Sequence, residues 1–287
     1  MAGRGAFAAR YARSLLVASA VAWTMVWWVY ATAFGDQGDM LPWWTVPLDD
    51  PYGGLHGEPG FYGYSPAILQ LLAPLRLLPL EAVIWLFAAA QLAALAYCAR
   101  RWTPLVLLAP PVLAELMAGN VHVLYAGAIV AAFRWPGLWA FMLLTKVTPG
   151  VGLLWFALRR EWRSLAIAVG VTVAIAFVSF VVAPGLWLEW VAMLARSAGG
   201  SVDYSYAVPT SVIAVPLLVR LPLALLLIAW GALTGRRWTV PVAAMLALPV
   251  LWTTALAMLI AVIPLARRQA AVIPASGSLE PQPKPVG

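Results

Sequence analysis

Two carboxylates near the first apolar stretch are the first residues that could carry chemistry. Asp36 and Asp39 directly follow residues 14–35, which contain no charge. A carboxylate within hydrogen-bond reach of a hydroxyl can act as a general base, here toward an amphiphilic substrate at the membrane surface. The alternative is that both are solvated residues at a helix end. Asp49 and Asp50 are weaker candidates, because their sequence DDPYGG is typical of a turn.

A single ammonium group lies inside another apolar run. Lys146 interrupts residues 135–158, and a lysine at the centre of a membrane helix costs about 2.5–3.5 kcal/mol on insertion scales. It therefore needs a partner or a function. One interpretation is that it snorkels from a short helix; the other is that it binds a phosphate as a point charge. The Thr148 hydroxyl and the Gly150 amide could add donors, because Pro149 frees backbone groups there.

A third group of polar residues lies at another interruption of an apolar run. Glu115, Asn120 and His122 fall within eight residues, with Gly119 beside Asn120. Each alone is typical of a helix cap or a packed polar residue, but together they could line one cavity. We predict no metal site, because the chain's two histidines lack the spacing of zinc ligands. A divalent ion bound by carboxylates stays open, and no other cofactor is expected.

Aromatic residues are the remaining candidates for binding. The chain contains 16 tryptophans, most of which suit the aromatic belts at the two membrane interfaces. Aromatic faces also bind sugar rings or prenyl chains, so a substrate-lining role stays open for those in the segments predicted to lie outside the membrane. These are Trp43, Trp44, Tyr62, Tyr64, Trp187, Trp190, Tyr204 and Tyr206.

The composition indicates that these candidate residues belong to a membrane protein. Of the 287 residues, 63% are hydrophobic and 10% are charged, whereas a soluble domain carries about 25% charged residues. This excludes a soluble enzyme, a disordered chain and a nucleic-acid-binding protein. The net charge of +7 comes from short basic clusters between apolar runs, which is typical of membrane topology. The single cysteine, Cys98, excludes a disulfide framework.

The apolar runs predict an all-α, polytopic integral membrane protein. We interpret residues 14–35 as a retained membrane anchor, because they are longer than the core of a signal peptide. Further runs with few charges cover 82–99, 102–133, 135–158, 164–188, 221–235 and 238–266. Breaks at Gly119-Asn120, after Lys146 and at Pro249 divide three of the runs. The result is about ten transmembrane segments, some of them short.

The distribution of charge predicts the orientation. With the N-terminus in the cytoplasm, most of the 18 Lys and Arg residues fall inside and most of the 11 acidic residues fall outside. A straight helix over 135–158 would put Arg134 and Arg159 on opposite sides. A broken helix keeps both inside and places Lys146 at the outer tip of a helical V.

The predicted organisation is one membrane-embedded domain, 1–268, followed by a disordered cytoplasmic tail, 269–287. Two outer segments are too long for simple turns: 36–81 and 184–220. The first ends in FYGYSPAILQLLAPLRLLP, which we predict to be a helix in the membrane interface with a snorkelling Arg76. No internal repeat is visible, so an inverted-repeat transporter receives no support.

The order of several motifs resembles glycosyltransferase family 87. The motifs are GDQGDM after the first span, PYG, FYGYSPAILQLLAPLRLLP, a GN that opens a helix, LLTKVTPGVGLLWFALRREWR and LPVLWTTALAML. The resemblance covers most of residues 10–266. It implies a membrane-embedded GT-C fold with an extracytoplasmic active site, as in mannosyltransferases that use polyprenyl-phosphate mannose.

The resemblance also implies roles for individual residues. The general base corresponds to Asp39 or Asp36, because the spacing to Tyr52 is shorter than is usual in the family. Phosphate contact falls on Lys146, although Val147 and Thr148 separate it from the proline. The late motif of the family often continues with His and Tyr, whereas residues 252–254 of this chain are Trp, Thr and Thr.

We therefore expect a plasma-membrane glycosyltransferase with both termini in the cytoplasm. Its partners are a polyprenyl-phosphate sugar donor, a glycolipid or glycan acceptor, and membrane lipids. Asp39 and Asp36 are the catalytic candidates. Lys146, Asn120 and Thr148 are expected at the donor phosphate, and the predicted substrate-lining residues are Tyr52, Tyr62, Tyr64, Glu115 and His122. The alternatives are a lipid or small-solute transporter or flippase, and a non-catalytic scaffold of the cell envelope.

Overall fold

The part of the chain that the structure describes is helical almost throughout. This structure is a computed structural model, and it describes residues 11, 12, 14–19, 21, 40–54, 61–199 and 212–270. Within these residues, β-type pairing is limited to an isolated antiparallel bridge between Val212 and Trp252. The prediction of an all-α protein is confirmed for the described part.

Thirteen helices follow one another along the described ranges from residue 40 onward. They are α1 (Leu41–Thr45), α2 (Pro66–Leu72), α3 (Leu80–Ala99), α4 (Thr103–Leu107), α5 (Pro110–Ala118), α6 (His122–Ala132), α7 (Trp139–Thr145), α8 (Leu154–Leu158), α9 (Trp162–Val182), α10 (Pro184–Gly199), α11 (Leu217–Thr234), α12 (Thr239–Leu246) and α13 (Val262–Ala270). 3₁₀ helices cover Ala73–Leu77, Arg100–Trp102, Pro136–Leu138, Thr148–Leu153 and Thr253–Ala261.

Among the described residues, three helical stretches are long and apolar enough to cross a bilayer. They are Leu80–Leu107, Trp162–Val182 and Leu217–Thr234. The bent pair α5 and α6 could form a fourth span. The predicted count of about ten is therefore not confirmed, because the other helices are shorter than the roughly 20 residues that a span requires. Most of the predicted first span, and all of 271–287, lie outside the described residues.

The three predicted breaks are confirmed. α5 and α6 meet at an angle of 105°, and Gly119, with φ +66°, ends α5 in the left-handed conformation that glycine adopts readily. α7 ends before Lys146, whose backbone is extended. α12 ends at Leu246, and the chain resumes as a 3₁₀ helix at Thr253.

A buried arginine satisfies the backbone at the third break. Arg220 of α11 is 3% exposed, and its guanidinium donates to the carbonyl oxygens of four residues. The acceptors are Val215 at 2.6 Å, Leu246 at 2.7 Å, Leu248 at 2.8 Å and Pro249 at 3.0 Å. In an apolar environment, carbonyls freed by a helix break must find donors within the protein. Arg220 supplies them.

The core lies where α6, α12 and the 3₁₀ helix Thr253–Ala261 pack together. Small side chains allow close approach of helices, as is typical of membrane proteins. A Cβ added at Gly127 of α6 would lie 3.0 Å from the Cβ of Ala94 in α3. A Cβ added at Gly231 of α11 would collide with Thr239 of α12. These contacts hold the short helices against the longer ones.

The arginine-bearing loops contact one another at the end of the helices opposite Lys146. Arg159 donates to the Ala232 carbonyl oxygen at 2.9 Å, and the Arg237 guanidinium lies 4.9 Å from the centre of the Phe133 ring. The ends of α6 and α8 therefore meet the same turn after α11. This confirms that the chain reverses at Lys146, so that Arg134 and Arg159 do not lie at opposite ends of a straight helix.

Within the first predicted outer segment, α1 packs against the predicted interfacial helix. We use this name for α2 and Ala73–Leu77. The sequence did not predict which groups Arg76 binds. Its guanidinium donates to the carbonyl oxygens of Val46 at 2.8 Å and Trp43 at 2.9 Å. These carbonyls lie at the C-terminal end of α1, where a helix leaves its last carbonyls without internal donors. Arg76 thereby ties α1 to the interfacial helix.

The orientation of the V can be tested by labelling with a membrane-impermeant maleimide. We expect Val147→Cys, at a side chain that is 54% exposed beside Lys146, to react in intact cells. Arg163→Cys, at the arginine-bearing end, should react only after permeabilisation. Both changes are made in a Cys98→Ala background, although Cys98 is buried and should contribute little. The opposite labelling pattern would place Lys146 on the cytoplasmic side.

Candidate functional site

Lys146 lies at the tip of a helical V whose first arm ends in a network of hydrogen bonds. The Thr145 hydroxyl donates back to the carbonyl oxygens of Phe141 at 2.6 Å and Met142 at 3.1 Å. The Lys146 amide closes the last turn on Met142 at 2.7 Å. Pro149 lies near the start of the following 3₁₀ helix and cannot continue α7. The break therefore fixes the backbone that carries the ammonium group.

The bend between α5 and α6 brings a second polar turn to this region. The Asn120 side chain accepts the Val121 amide at 2.7 Å, which tightens the turn. The Gln91 side chain of α3 donates to the Asn120 carbonyl oxygen at 2.6 Å. Both side chains are buried, at 6% and 0% exposure. Asn120, predicted at the donor phosphate, therefore has a clear structural role in the turn.

Glu115, His122 and Lys146 form a continuous polar chain across the two bends. The Glu115 carboxylate accepts the His122 backbone amide at 2.6 Å and lies 3.0 Å from the ring Nδ1. The opposite ring nitrogen, Nε2, lies 3.3 Å from the Lys146 Nζ. Glu115 and His122 are fully buried, and Lys146 is half-buried. These three polar side chains thus lead from the interior of the protein to the accessible tip of the V.

The residue after Asp39 packs against this region. Met40 is 7% exposed, and a Cβ added at Gly119 would lie 3.4 Å from the Met40 Cβ. The two catalytic candidates, Asp36 and Asp39, lie outside the described residues. The position where the described chain resumes is nevertheless in contact with the turn that carries Asn120.

The predicted substrate-lining tyrosines form an aromatic cluster next to α1. The Tyr52 hydroxyl donates to the Tyr64 carbonyl oxygen at 2.9 Å, and the Tyr62 ring packs against both Tyr52 and Tyr64. Tyr52 and Tyr62 are buried, and Tyr64 is half-buried. Trp43 of α1 meets the Tyr64 ring edge-on at 5.4 Å. The cluster therefore joins the aromatic residues of the first outer segment.

Burial keeps two of these tyrosines protonated. Burial raises the pKa of Tyr52, and the negative charge of Glu189 raises it further. Burial also raises the pKa of Tyr62, the neighbouring Tyr52 adds to this, and Arg76 lowers it in part. The Tyr62 hydroxyl is buried without a hydrogen-bond partner among the described residues. Both hydroxyls therefore remain neutral.

The second outer segment anchors this aromatic cluster. From α10, the Arg196 guanidinium donates to the Tyr52 carbonyl oxygen at 3.2 Å. The Trp190 indole donates to the Gly63 carbonyl oxygen at 3.2 Å. The side chain of Met193 packs into the same cluster. The described parts of the two predicted outer segments, which are far apart in the sequence, therefore pack against each other.

A small apolar groove lies beside Met40. Its walls come from α1, the interfacial helix and the first turn of α3, and its lining is almost entirely hydrophobic. The lining residues are Met40, Trp43, Trp44, Leu72, Leu75, Leu80 and Val83, with Arg76 at one wall. A groove of this composition fits a hydrocarbon chain better than a polar group.

The structure brings together some of the predicted site residues and separates others. His122 contacts both Lys146 and Glu115, as described above. The Thr148 hydroxyl is buried and makes no hydrogen bond with any described residue. Ser65, which the sequence analysis did not single out, donates its backbone amide to the Leu144 carbonyl oxygen at 3.1 Å and so ties α2 to the V.

Two further residues of the site gave no clear signal in the sequence. Gln91 lies in an otherwise apolar helix, and that single amide was the one feature that could have marked it. Met40 looks like any other hydrophobic residue. Among the described residues, no group of three or more His, Cys, Asp or Glu side chains could hold a metal ion.

The profile of glycosyltransferase family 87 matches residues 61–274. This is about three quarters of the chain, and it includes the Glu115, His122 and Lys146 contacts. Among curated proteins and solved structures, none matches the chain significantly.

The bend beside Met40 can be tested with a pair of glycine substitutions. We expect Gly119→Ala to lower the thermal unfolding midpoint in detergent, because a left-handed backbone costs a non-glycine residue about 1–2 kcal/mol. The new methyl group would lie in van der Waals contact with Met40, so the backbone conformation accounts for the expected cost. Gly170→Ala in α9 is the control, since nothing lies within 4 Å of an added Cβ there. Equal midpoints for the two variants would contradict the described bend.

Proposed function

Because the chain belongs to glycosyltransferase family 87, we propose that it moves a sugar from a polyprenyl-phosphate donor to a lipid or glycan acceptor. Family membership makes the protein a membrane glycosyltransferase. Our proposal adds mannose as the sugar, a GT-C-like architecture, and an active site on the extracytoplasmic side of the plasma membrane. The observation that carries it is the ammonium of Lys146, held at the tip of the V by His122 at 3.3 Å.

The proposed reaction is a single displacement at the anomeric carbon. The acceptor hydroxyl oxygen forms the new bond to this carbon, and the bond between the carbon and the phosphate oxygen breaks. The proton of the hydroxyl passes to the carboxylate of Asp39, or of Asp36. The electron pair of the broken bond leaves with the polyprenyl phosphate. One carboxylate suffices, in contrast to the pair used by glycosidases, because the phosphate leaves without being protonated.

The charge on the phosphate determines what Lys146 contributes. The donor is a phosphodiester with one negative charge, and the leaving polyprenyl phosphate is a monoester with up to two. Negative charge therefore develops on the phosphate during the reaction. A fixed cation beside the phosphate stabilises the transition state more than the bound donor, and this difference accelerates the reaction. Thr148, whose hydroxyl is buried without a described partner, is proposed as an additional donor to the phosphate.

The apolar groove beside Met40 is the proposed site for part of the polyprenyl chain. It lies next to Met40, which contacts the turn at Gly119. A polyprenyl chain in this groove would hold its phosphate near the polar turns. The half-buried Tyr64, which packs against the buried Tyr62, contacts Trp43 in the wall of the same groove. Lipid and sugar would thus be bound by separate surfaces. The phosphate would sit between them.

The catalytic base is tested by replacing the carboxylate with its amide. In proteoliposomes that contain radiolabelled polyprenyl-phosphate mannose and extracted membrane lipids, we expect Asp39→Asn to abolish detectable transfer. Asp49→Asn serves as the comparison, because Asp49 is an exposed carboxylate of the same outer segment. Asp36→Asn should retain activity if Asp39 is the base. Full activity of both Asp39→Asn and Asp36→Asn would remove these carboxylates from the mechanism.

The phosphate contact is tested at Lys146 in the same assay. We expect Lys146→Ala to lower kcat/KM by about a hundredfold, mainly through kcat and with a smaller rise in the KM for the donor, which is typical for loss of one group that stabilises a developing charge. Lys146→Arg should retain part of the activity, because it keeps the charge. Arg163→Ala removes a cation from the opposite end and should change neither constant. Unaltered donor use by Lys146→Ala would show that the assignment is wrong.

The class of donor is tested by competition between labelled substrates. We expect transfer from polyprenyl-phosphate mannose and none from the corresponding nucleotide sugar, because a soluble nucleotide would leave the apolar groove unoccupied. Direct use of the nucleotide sugar by the purified protein would overturn the proposed donor while leaving the family assignment intact.

A further inference from the structure

We propose that Glu115 and His122 are positioning residues that set the direction of the Lys146 ammonium. This inference rests on the proposed function, in which Lys146 contacts the donor phosphate. It replaces the expectation that Glu115 and His122 line the substrate. Both are fully buried, and they act on the reaction through Lys146.

The burial and bonding of Glu115 exclude direct contact with a substrate in the described arrangement. One carboxylate oxygen accepts the His122 amide at 2.6 Å, and the other lies 3.0 Å from the ring Nδ1. Two donors from one residue thus occupy both oxygens of the carboxylate. The amide contact fixes the first turn of α6, and the ring contact fixes the orientation of the imidazole.

The carboxylate also selects the tautomer of His122. An ionised carboxylate can only accept hydrogen bonds, so Nδ1 must carry the proton that lies toward Glu115. In the neutral imidazole this leaves Nε2 with a lone pair. Nε2 faces the Lys146 Nζ at 3.3 Å, and an ammonium group can only donate. Glu115 therefore orients the His122 ring, and the ring in turn orients the Lys146 ammonium.

The Glu115 carboxylate and the Lys146 ammonium lie on opposite sides of one ring. The carboxylate contacts Nδ1 and the ammonium contacts Nε2. In the apolar part of a membrane protein a lysine needs such polar partners, because an isolated ammonium group is costly. Glu115 therefore acts on Lys146 through His122, without contacting Lys146 directly.

Tyr125 completes the support of the ring. Its ring meets that of His122 edge-on at 6.0 Å, one turn along α6. Its hydroxyl lies 2.6 Å from the Thr145 hydroxyl, the residue before Lys146. α6 therefore contacts both the Lys146 ammonium and the side chain of the residue before it.

The first test measures the tautomer and does not depend on activity. The chain contains two histidines, so a His56→Gln variant labelled with ¹⁵N-histidine gives the signals of His122 alone. We expect nuclear magnetic resonance of the full-length protein in detergent to show a neutral ring with the proton on Nδ1. Glu115→Gln should shift the ring toward the Nε2–H form, because an NH₂ group replaces one of the two accepting oxygens and would face Nδ1 while the remaining oxygen accepts the His122 amide. An Nε2–H tautomer in the unaltered protein would overturn the proposal.

The second test asks whether His122 and Glu115 act through Lys146. We expect His122→Ala and Glu115→Gln each to lower kcat/KM for the donor by about tenfold or more, with the KM for the acceptor unchanged. His122→Gln should recover much of this loss, because an amide oxygen can replace Nε2 as an acceptor. In a Lys146→Ala background, His122→Ala and Glu115→Gln should cause little further loss, since interacting residues are not additive.

The outcomes separate this inference from the proposed function. A further large loss from His122→Ala in the Lys146→Ala background would overturn the positioning role, because His122 would then act independently of Lys146. No effect of Lys146→Ala alone would instead contradict the proposed phosphate contact. Variants are compared at equal amounts of folded protein, judged by their thermal unfolding midpoints. If Glu115→Gln does not fold, the tautomer of the unaltered protein and the rescue by His122→Gln still decide the question.

Discussion

A helix that is interrupted inside a membrane requires other groups to bond the backbone carbonyls and amides that the break frees. The described part of this protein contains three such breaks, and polar side chains bond the backbone at each of them. Arg220 donates to four carbonyl oxygens, three of them between Leu246 and Pro249. Gln91 and the Asn120 side chain bond the turn between α5 and α6. The cost of the breaks is therefore offset locally, and the chain can place polar residues at depths that a straight helix would leave apolar.

The candidate site depends on two of these breaks. The bend after α5 sets the direction of α6, whose first residue is His122. The reversal at Lys146 brings the ammonium to the His122 ring. With only one of the two breaks, the His122 ring and the Lys146 ammonium would not meet, and each would lack the other as a partner. The Glu115–His122 pair spans the first break as well, because the carboxylate belongs to α5 and both of its donors belong to α6. The same contacts thus stabilise the bend and assemble the site.

The sequence predicted the positions of the breaks better than the contacts across them. Proline, glycine and a lone charge mark the ends of helices because of local backbone chemistry, so Gly119 and Lys146 could be identified from the sequence. The contact of Lys146 with His122 joins residues 24 positions apart, and its geometry depends on the packing of α6 against α7. Arg76 is a second example of a contact that the sequence did not predict. A single arginine in an apolar segment fits snorkelling, and the local sequence does not reveal that folding of α1 against the interfacial helix supplies carbonyl acceptors.

Under the proposed function, the change in the charge of the phosphate determines how the binding energy of the donor is distributed. The bound donor carries one negative charge, so its attraction to Lys146 is weaker than that of the leaving phosphate, which carries up to two. Affinity for the donor must then come mainly from apolar contact along the groove beside Met40. As the bond to the sugar breaks, the phosphate gains a second charge, and the attraction to Lys146 grows while the apolar contacts stay the same. The cation thus favours the transition state over the bound donor, and this difference, rather than tight binding of the phosphate, lowers the barrier.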